Sequence, residues 1–140
     1  MSEESENDMH TLSCYISLME YCEDEGIEDI FDMSAFGEKI KVQVKNGITH
    51  DKAEWIDSYI CKPSEFISSK NSIFYKDNAE IADYECEHIV ETQLANGSWN
   101  IPWSWELYPE EWAVSKNWWK CIGIISNIEY LRGFDCLDCE

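Results

Sequence analysis

The residues best suited to metal chemistry in this 140-residue sequence are Asp83, Cys86 and His88, three zinc-ligating side-chain types within one predicted helix. Successive residues of an α-helix turn by about 100°, so Cys86 and His88 point about 200° apart. A tetrahedral zinc ion needs ligands that converge on one point. The spacing therefore argues against a zinc site at these three residues.

Cys136 and Cys139 form a Cys-x-x-Cys pair at the end of the chain. A structural zinc site requires two further ligands, and the neighbouring sequence supplies none. The seven cysteines are odd in number and several occupy apolar helical positions, a usage typical of free thiols in a reducing compartment. We predict a flexible tail over residues 135–140, a cytoplasmic location and no metal or other cofactor.

Acidic residues are the next candidates for metal or acid chemistry. Glu28, Asp29 and Asp32 have a spacing similar to the Asp-Asp-x-x-Asp magnesium motif of diphosphate-ionising synthases. Such a site also needs a substrate phosphate, and an acid-rich segment produces this spacing by chance, so we interpret these residues as a solvated helix end. The three histidines are scattered, and no Ser or Cys lies in a nucleophile-elbow setting. The sequence therefore predicts no catalytic residue.

Aromatic residues concentrate between residues 99 and 119, where six tryptophans and one tyrosine occur. Burying each tryptophan in a core would remove roughly 150–250 Å² from water, which makes core packing the first interpretation. The alternative is an aromatic-lined inner face that holds a long apolar or polyprenyl ligand. The candidate ligand-binding residues for that alternative are Trp103, Trp105, Trp112, Trp118 and Trp119.

The net charge of −19, from 29 acidic and ten basic residues, argues against nucleic acid as a ligand, because the phosphate backbone would be repelled. Residues 1–8 are acidic and lack the basic and apolar regions of a secretory signal, so we expect an acidic disordered tail. No apolar run reaches the roughly 20 residues that a membrane-spanning helix needs. A remote alternative is that the acidic surface mimics DNA toward a basic protein.

Periodic apolar residues predict four helices. They cover residues 10–25, 34–46, 78–93 and 110–132, and the last is the longest. Between residues 48 and 78 the period fades, which predicts a long irregular connection rich in aromatic residues. Nothing alternates convincingly with the two-residue period of a strand. The sequence therefore predicts an all-α fold.

Gln93, Gly97 and Trp99 have the spacing Gln, three residues, Gly, one residue, Trp. This spacing resembles the QW motif of squalene-hopene cyclase and its relatives. A predicted helix precedes the motif, a Pro- and Trp-rich loop follows it, and then the longest helix begins, which is similar to the order of one α-α toroid repeat. Over residues 10–134 the chain resembles the C-terminal half of uncharacterised bacterial prenyltransferase-like proteins in the α-α toroid superfamily of terpene cyclases and protein prenyltransferases.

The resemblance implies a partial α-α toroid over residues 9–134, built from antiparallel helical hairpins. It also implies structural roles for the three motif residues. Gly97 permits a tight reversal, the Gln93 amide bonds backbone groups at two helix ends, and Trp99 covers that amide. The Asp-x-Asp-Asp acid of the cyclases does not occur in this sequence. The resemblance therefore favours a chain without cyclase activity.

From these features we interpret the chain as an incomplete toroid that acts as a non-catalytic interaction or scaffold domain. The alternative is a subunit of an enzyme that binds an apolar isoprenoid-like ligand between this chain and another half. A complete toroid needs more helices than this sequence provides. The expected partner is therefore a second copy of the chain or a protein that supplies the missing half.

Overall fold

A computed structural model describes residues 8–27, 29, 32–55 and 60–137. Within these ranges the regular structure is helical and includes no strand, so the all-α prediction is confirmed. No helix in the described part of the chain is both long and apolar enough to span a membrane. The helices are α1 (Met9–Asp24), α2 (Met33–Gly47), α3 (Ala79–Glu91) and α4 (Pro109–Gly133), with short 3-10 helices at Lys52–Trp55 and Pro63–Glu65.

α1 and α2 pack against each other as an antiparallel hairpin. Gly47 at the end of α2 lies against Leu12 near the start of α1, and Gly37 near the start of α2 lies against Met19. The inward side chains of the two helices are buried in the one core that also receives α3 and the end of α4. The hairpin therefore closes one side of this core.

Both helices of the hairpin begin at an aspartate. The Asp8 carboxylate accepts a hydrogen bond from the Thr11 amide at 3.1 Å, and the Asp32 carboxylate accepts one from the Ala35 amide at 2.9 Å. A side-chain acceptor at this position satisfies an amide that has no partner within the helix. α2 begins at Met33, one residue before the predicted start at residue 34, because Asp32 is its cap.

The long connection between α2 and α3 is folded by its own apolar side chains. Trp55 donates its Nε1 hydrogen to the Thr49 carbonyl oxygen at 2.9 Å, which fixes a buried indole over the end of the hairpin. Residues 56–59 of the connection lie outside the described residues. Other large buried side chains of the connection are Ile48, Phe66, Ile67 and Phe74.

α4 is held to the rest of the fold by its carboxyl end, residues 130–134, which we call the α4 root. The Tyr130 hydroxyl donates to the Ala82 carbonyl oxygen at 3.1 Å, so the end of α4 meets the start of α3 and the two helices run antiparallel. Phe134 is fully buried. Its ring stacks on Tyr130 with centroids 4.4 Å apart and meets Tyr75 edge-on at 5.6 Å. Aromatic pairs of this kind contribute roughly 0.5–1.5 kcal/mol each beyond their buried area.

The α4 root also touches the long connection through the main chain. A Cβ atom on Gly133 would collide with the carbonyl oxygen of Ser68. Just beyond the helix, Asp135 adopts a positive φ of 57°, and the Cys136 amide then donates to the Leu131 carbonyl oxygen at 2.8 Å. The end of α4 is thus fixed by backbone contacts as well as by aromatic rings.

The close approach at Gly133 predicts opposite effects for two glycine-to-alanine substitutions in α4. Gly133→Ala forces the root away from Ser68 and is expected to lower the free energy of unfolding by about 1–3 kcal/mol. Gly123→Ala is the control, because its Cβ would meet no atom within 4 Å. That change is expected to be neutral or to stabilise by up to about 1 kcal/mol through helix propensity. Urea unfolding midpoints measure both effects, and equal midpoints for the two variants would contradict the packing at the root.

Candidate functional site

A cleft lies between α3 and α4, and we call it the α3–α4 cleft. The buried residues of α4 are Tyr130 and Leu131, in its last turns. Nearer its start the helix leaves a cavity of about 670 Å³ against α3. A volume of this size is typical of small-molecule sites. Its walls are Glu85, His88 and Ile89 of α3; Trp55, Ile60, Lys62, Ser64 and Glu65 of the connection; Thr92, Trp99, Asn100, Ile101, Pro102 and Trp103 of the α3–α4 loop; and Trp119, Lys120, Gly123, Ser126 and Asn127 of α4.

Glu85 is a buried acid in the wall of the α3–α4 cleft, with 2% of its surface exposed. Its two carboxylate oxygens accept hydrogen bonds from Ser64, at 2.8 Å from the amide and 2.6 Å from the hydroxyl. Burial raises the pKa of Glu85, while the Ser64 bonds and the Lys62 charge partly oppose that rise. The carboxyl group therefore keeps its proton to a higher pH than an ordinary glutamate does.

Lys62 and His88 bring two nitrogen bases to the same wall. The Lys62 ammonium lies 5.3 Å from the Trp55 ring centroid, and the His88 ring meets Trp55 edge-on at 5.5 Å. Burial lowers the pKa of Lys62, and the Glu85 charge opposes that shift. Burial also lowers the pKa of His88, with the Lys62 charge adding to the effect. The cleft thus places an imidazole and a lysine with lowered pKa values beside an acid with a raised pKa.

Four of the five predicted ligand-binding tryptophans come together, and one does not. The Trp103 ring lies 6.2 Å from Trp105, 4.9 Å from Trp112 and 5.1 Å from Trp119. Trp118 lies on the other face of α4 and is 68% exposed. Beside the cleft, this cluster forms an apolar groove of about 700 Å³, which we call the aromatic groove. The groove is lined by Glu65, Asn100, Ile101, Pro102, Trp103, Trp105, Trp119, Ile122 and Gly123.

The predicted motif of Gln93, Gly97 and Trp99 forms the turn that follows α3. Gly97 has a φ of +81°, the left-handed conformation that a reversal of this kind requires. The Gln93 side-chain amide donates to the Gly97 carbonyl oxygen at 3.2 Å, within the turn and exposed to solvent. Trp99 Nε1 donates to the Ile89 carbonyl oxygen at 2.7 Å. The structure therefore assigns to Trp99 the helix-end contact that was expected of Gln93.

The face of α4 opposite the cleft carries a second, apolar surface, which we call the α4 stripe. Its five residues recur every three or four positions and are each between 44% and 68% exposed. An isolated surface helix normally has one apolar face and one polar face. α4 instead has apolar residues on both sides, a pattern typical of a helix enclosed between neighbours. The α4 stripe consists of Val114, Trp118, Ile122, Ile125 and Ile128.

The metal-ligating residues considered in the sequence do not converge. Asp83 is exposed and accepts a hydrogen bond from the Tyr75 hydroxyl at 3.1 Å, whereas Cys86 is buried in the core and His88 faces the cleft. Among the residues that the structure describes, no group of three or more His, Cys, Asp or Glu is placed to hold an ion. Glu28 of the acidic cluster and Cys139 of the Cys-x-x-Cys pair lie outside that part of the chain.

Glu85 is not among the residues predicted to form a site, although the sequence contains a signal for it. Glu85 lies four residues after Ile81 and four before Ile89, so it occupies the buried stripe of α3. An acid at an apolar position of a helical pattern indicates either a paired carboxylate or a functional one. Its partner could not be found in the same way, because Ser64 is 21 residues away in the irregular connection.

Comparisons of this chain with protein-family models, with curated proteins and with solved structures found no match.

The turn geometry predicts unequal roles for the two side chains of the motif. Trp99→Phe keeps an aromatic side chain but removes the hydrogen bond to the Ile89 carbonyl oxygen, so it is expected to cost at least about 1 kcal/mol of unfolding free energy. Gln93→Ala removes a solvent-exposed bond and is expected to change stability by less than about 0.5 kcal/mol. Chemical denaturation measures both values. A larger loss for Gln93→Ala than for Trp99→Phe would show that Gln93 carries the helix-end contact.

The raised pKa of Glu85 predicts a pH-dependent gain in stability for Glu85→Gln. The folded protein binds the Glu85 proton more tightly than the unfolded chain, whose glutamate pKa is about 4.3. The wild type therefore loses stability as the pH rises from about 4.3 through the raised pKa. Glutamine can keep both contacts with Ser64 and has no charge to desolvate. The difference in stability between the variant and the wild type is expected to increase across that pH window. At higher pH the difference is expected to stay constant.

Urea midpoints from pH 4 to pH 9 test the Glu85→Gln prediction. Ser64→Ala provides the matched variant, because it removes the hydroxyl donor but leaves the acid, and it is expected to destabilise the protein most at high pH. A Glu85→Gln curve parallel to that of the wild type at all pH values would contradict the raised pKa.

Proposed function

We propose that this chain is a non-catalytic interaction domain, an incomplete α-α toroid whose α4 stripe is covered by another protein surface. The observation that carries the proposal is the exposed apolar face of α4 opposite the α3–α4 cleft. A contiguous apolar face of this kind marks an interaction site on a folded protein.

The size of the α4 stripe supports an interface role. Trp118 alone, at 68% exposure, presents roughly 100–170 Å² of a side chain that offers 150–250 Å² in total. Tryptophan is also the residue most enriched among interface positions that dominate binding energy. Ile122 and Ile125 flank it on the same face, so the stripe has a large central anchor with aliphatic neighbours.

The toroid part of the proposal is supported by the arrangement of the elements. α1 and α2 form one antiparallel hairpin, and α3 and α4 run antiparallel on either side of the turn of Gln93, Gly97 and Trp99. Stacked hairpins of this type bury their outer faces only against further hairpins. The exposed α4 stripe is the face that such a neighbour would cover.

The non-catalytic part of the proposal follows from the state of the polar groups in the cleft. Both oxygens of Glu85 already accept hydrogen bonds from Ser64, and the side chain is almost completely buried. The Lys62 ammonium lies over the Trp55 ring. A general acid or base must come within hydrogen-bond reach of the proton it transfers. Glu85 is buried and bonded to Ser64, so it holds the connection against α3 instead.

A second candidate function, binding of an apolar ligand, is favoured by the aromatic groove. Its volume of about 700 Å³ suits a small molecule. Trp103 and Trp119 would provide ring faces, and Ile101 an aliphatic wall, for an isoprenoid-like chain. The groove reaches Ile122 at the edge of the α4 stripe, so a partner on the stripe would also enclose this ligand.

The interaction role predicts that the α4 stripe binds a neutral hydrophobic dye when the chain is dilute. Trp118→Glu combined with Ile125→Glu is expected to lower Nile red fluorescence by at least about half, because it places charge in the centre of the stripe. Val42→Glu is the control, since Val42 is similarly exposed but lies alone on α2. Absence of dye binding to the monomer, or an equal loss in the control, would argue against the interface.

A further inference from the structure

We infer that the partner of the α4 stripe is a second copy of this chain, packed with its α4 antiparallel across a twofold axis beside Cys121 and Ile122. This inference deepens the proposed function and rests on it, since it names the surface that covers the stripe.

The first observation is a ladder of four exposed residues along α4, which we call the α4 ladder. They are Glu111, Trp118, Ile125 and Arg132, spaced seven residues apart. Seven residues make nearly two helical turns, so the four side chains lie on one face. Read along the helix, the ladder is acidic, apolar, apolar and basic. When two copies of the helix lie antiparallel, the acidic end of one ladder therefore meets the basic end of the other, and the apolar residues meet in the middle.

The pairing follows from that order. With the axis between Cys121 and Ile122, Trp118 of one copy faces Ile125 of the other, and Glu111 faces Arg132. A parallel pair would instead place Glu111 against Glu111 and Arg132 against Arg132, which like charges oppose. A twofold axis repeats each contact twice, so both apolar pairs and both ion pairs form in one closed dimer.

The second observation is that most of the negative charge of the chain lies outside α4. Residues 1–93 hold 22 acids and seven bases, whereas residues 94–128 hold three acids and two bases. α4 itself is neutral, with three acids and three bases. The repulsion between two copies of charge −19 is therefore concentrated away from the stripe. Salt screens this repulsion, so the dimer is expected to strengthen as ionic strength rises.

The size of the stripe sets the expected affinity. A standard interface buries about 800 Å² on each partner, and the five side chains of the stripe provide only part of that area. Leu107 and Tyr108, exposed just before α4, extend the apolar surface at the outer end of the helix. We therefore expect a dimer that dissociates on dilution and not an obligate one.

Cys121 provides a direct test, because it is exposed and lies beside the proposed axis. Copper(II) phenanthroline should join the two copies of Cys121, with each thiol losing a proton, the two sulfurs forming one bond and two copper(II) ions each accepting one electron. The expected product is a band near 33 kDa on a non-reducing gel, about twice the 16.4 kDa chain. It should vanish in Cys121→Ser and persist in Cys14→Ser, which removes an exposed thiol on α1. A dimer joined through Cys14 would overturn the arrangement.

A charge swap tests the direction of the helices. Glu111→Lys is expected to weaken the dimer about tenfold in light scattering or sedimentation, because it faces Arg132 of the second copy with a like charge. Adding Arg132→Glu should restore the affinity to within about threefold of the wild type. Failure of the second change to restore binding would overturn the antiparallel pairing.

The dye measurement separates the failure of this inference from the failure of the proposed function. A chain that stays monomeric at high concentration and salt, and still binds Nile red at the stripe, would overturn the dimer but leave the interaction role. A monomer that binds no dye would overturn both. A salt-strengthened dimer with the Cys121 cross-link and the charge-swap rescue would support both.

Discussion

The architecture depends on the aromatic contact at the α4 root. Phe134 is buried between Tyr130 and Tyr75, and the Tyr130 hydroxyl ties the same point to the Ala82 carbonyl oxygen of α3. Because α4 is buried mainly at this end, its remaining turns stand away from α3. The α3–α4 cleft opens on one side of those turns, and the α4 stripe faces outward on the other. Both candidate binding surfaces therefore follow from one junction.

The extents of the helices could be predicted because their patterns are local. The α4 stripe recurs over about four turns. The helix observed at Pro109–Gly133 differs from the predicted range of 110–132 by one residue at each end. The direction in which α4 faces could not be predicted in the same way. Apolar residues lie on both of its sides, so periodicity alone does not distinguish the face toward α3 from the face toward solvent.

The polar contacts of the site were harder to predict, since they join residues that are distant in sequence. The bonds between Ser64 and Glu85 cross from the connection to α3, and no spacing rule relates the two. In the turn of Gln93, Gly97 and Trp99 the sequence predicted the reversal at Gly97, because glycine alone adopts that φ easily. Which side chain reaches the Ile89 carbonyl oxygen depends on the position of the helix end, and it is Trp99.

A helix fixed at one end behaves as a lever. α4 has 25 residues, and 21 of them lie before the root, a length of roughly 31 Å at about 1.5 Å per residue. A tilt of about 10° at the root would move the far end of that segment by roughly 5 Å, about the rise of one helical turn. The packing of Phe134 therefore sets the width of the cleft at Trp103 and Trp119. A partner bound to the opposite face of α4 is therefore mechanically linked to the tryptophans that line the α3–α4 cleft.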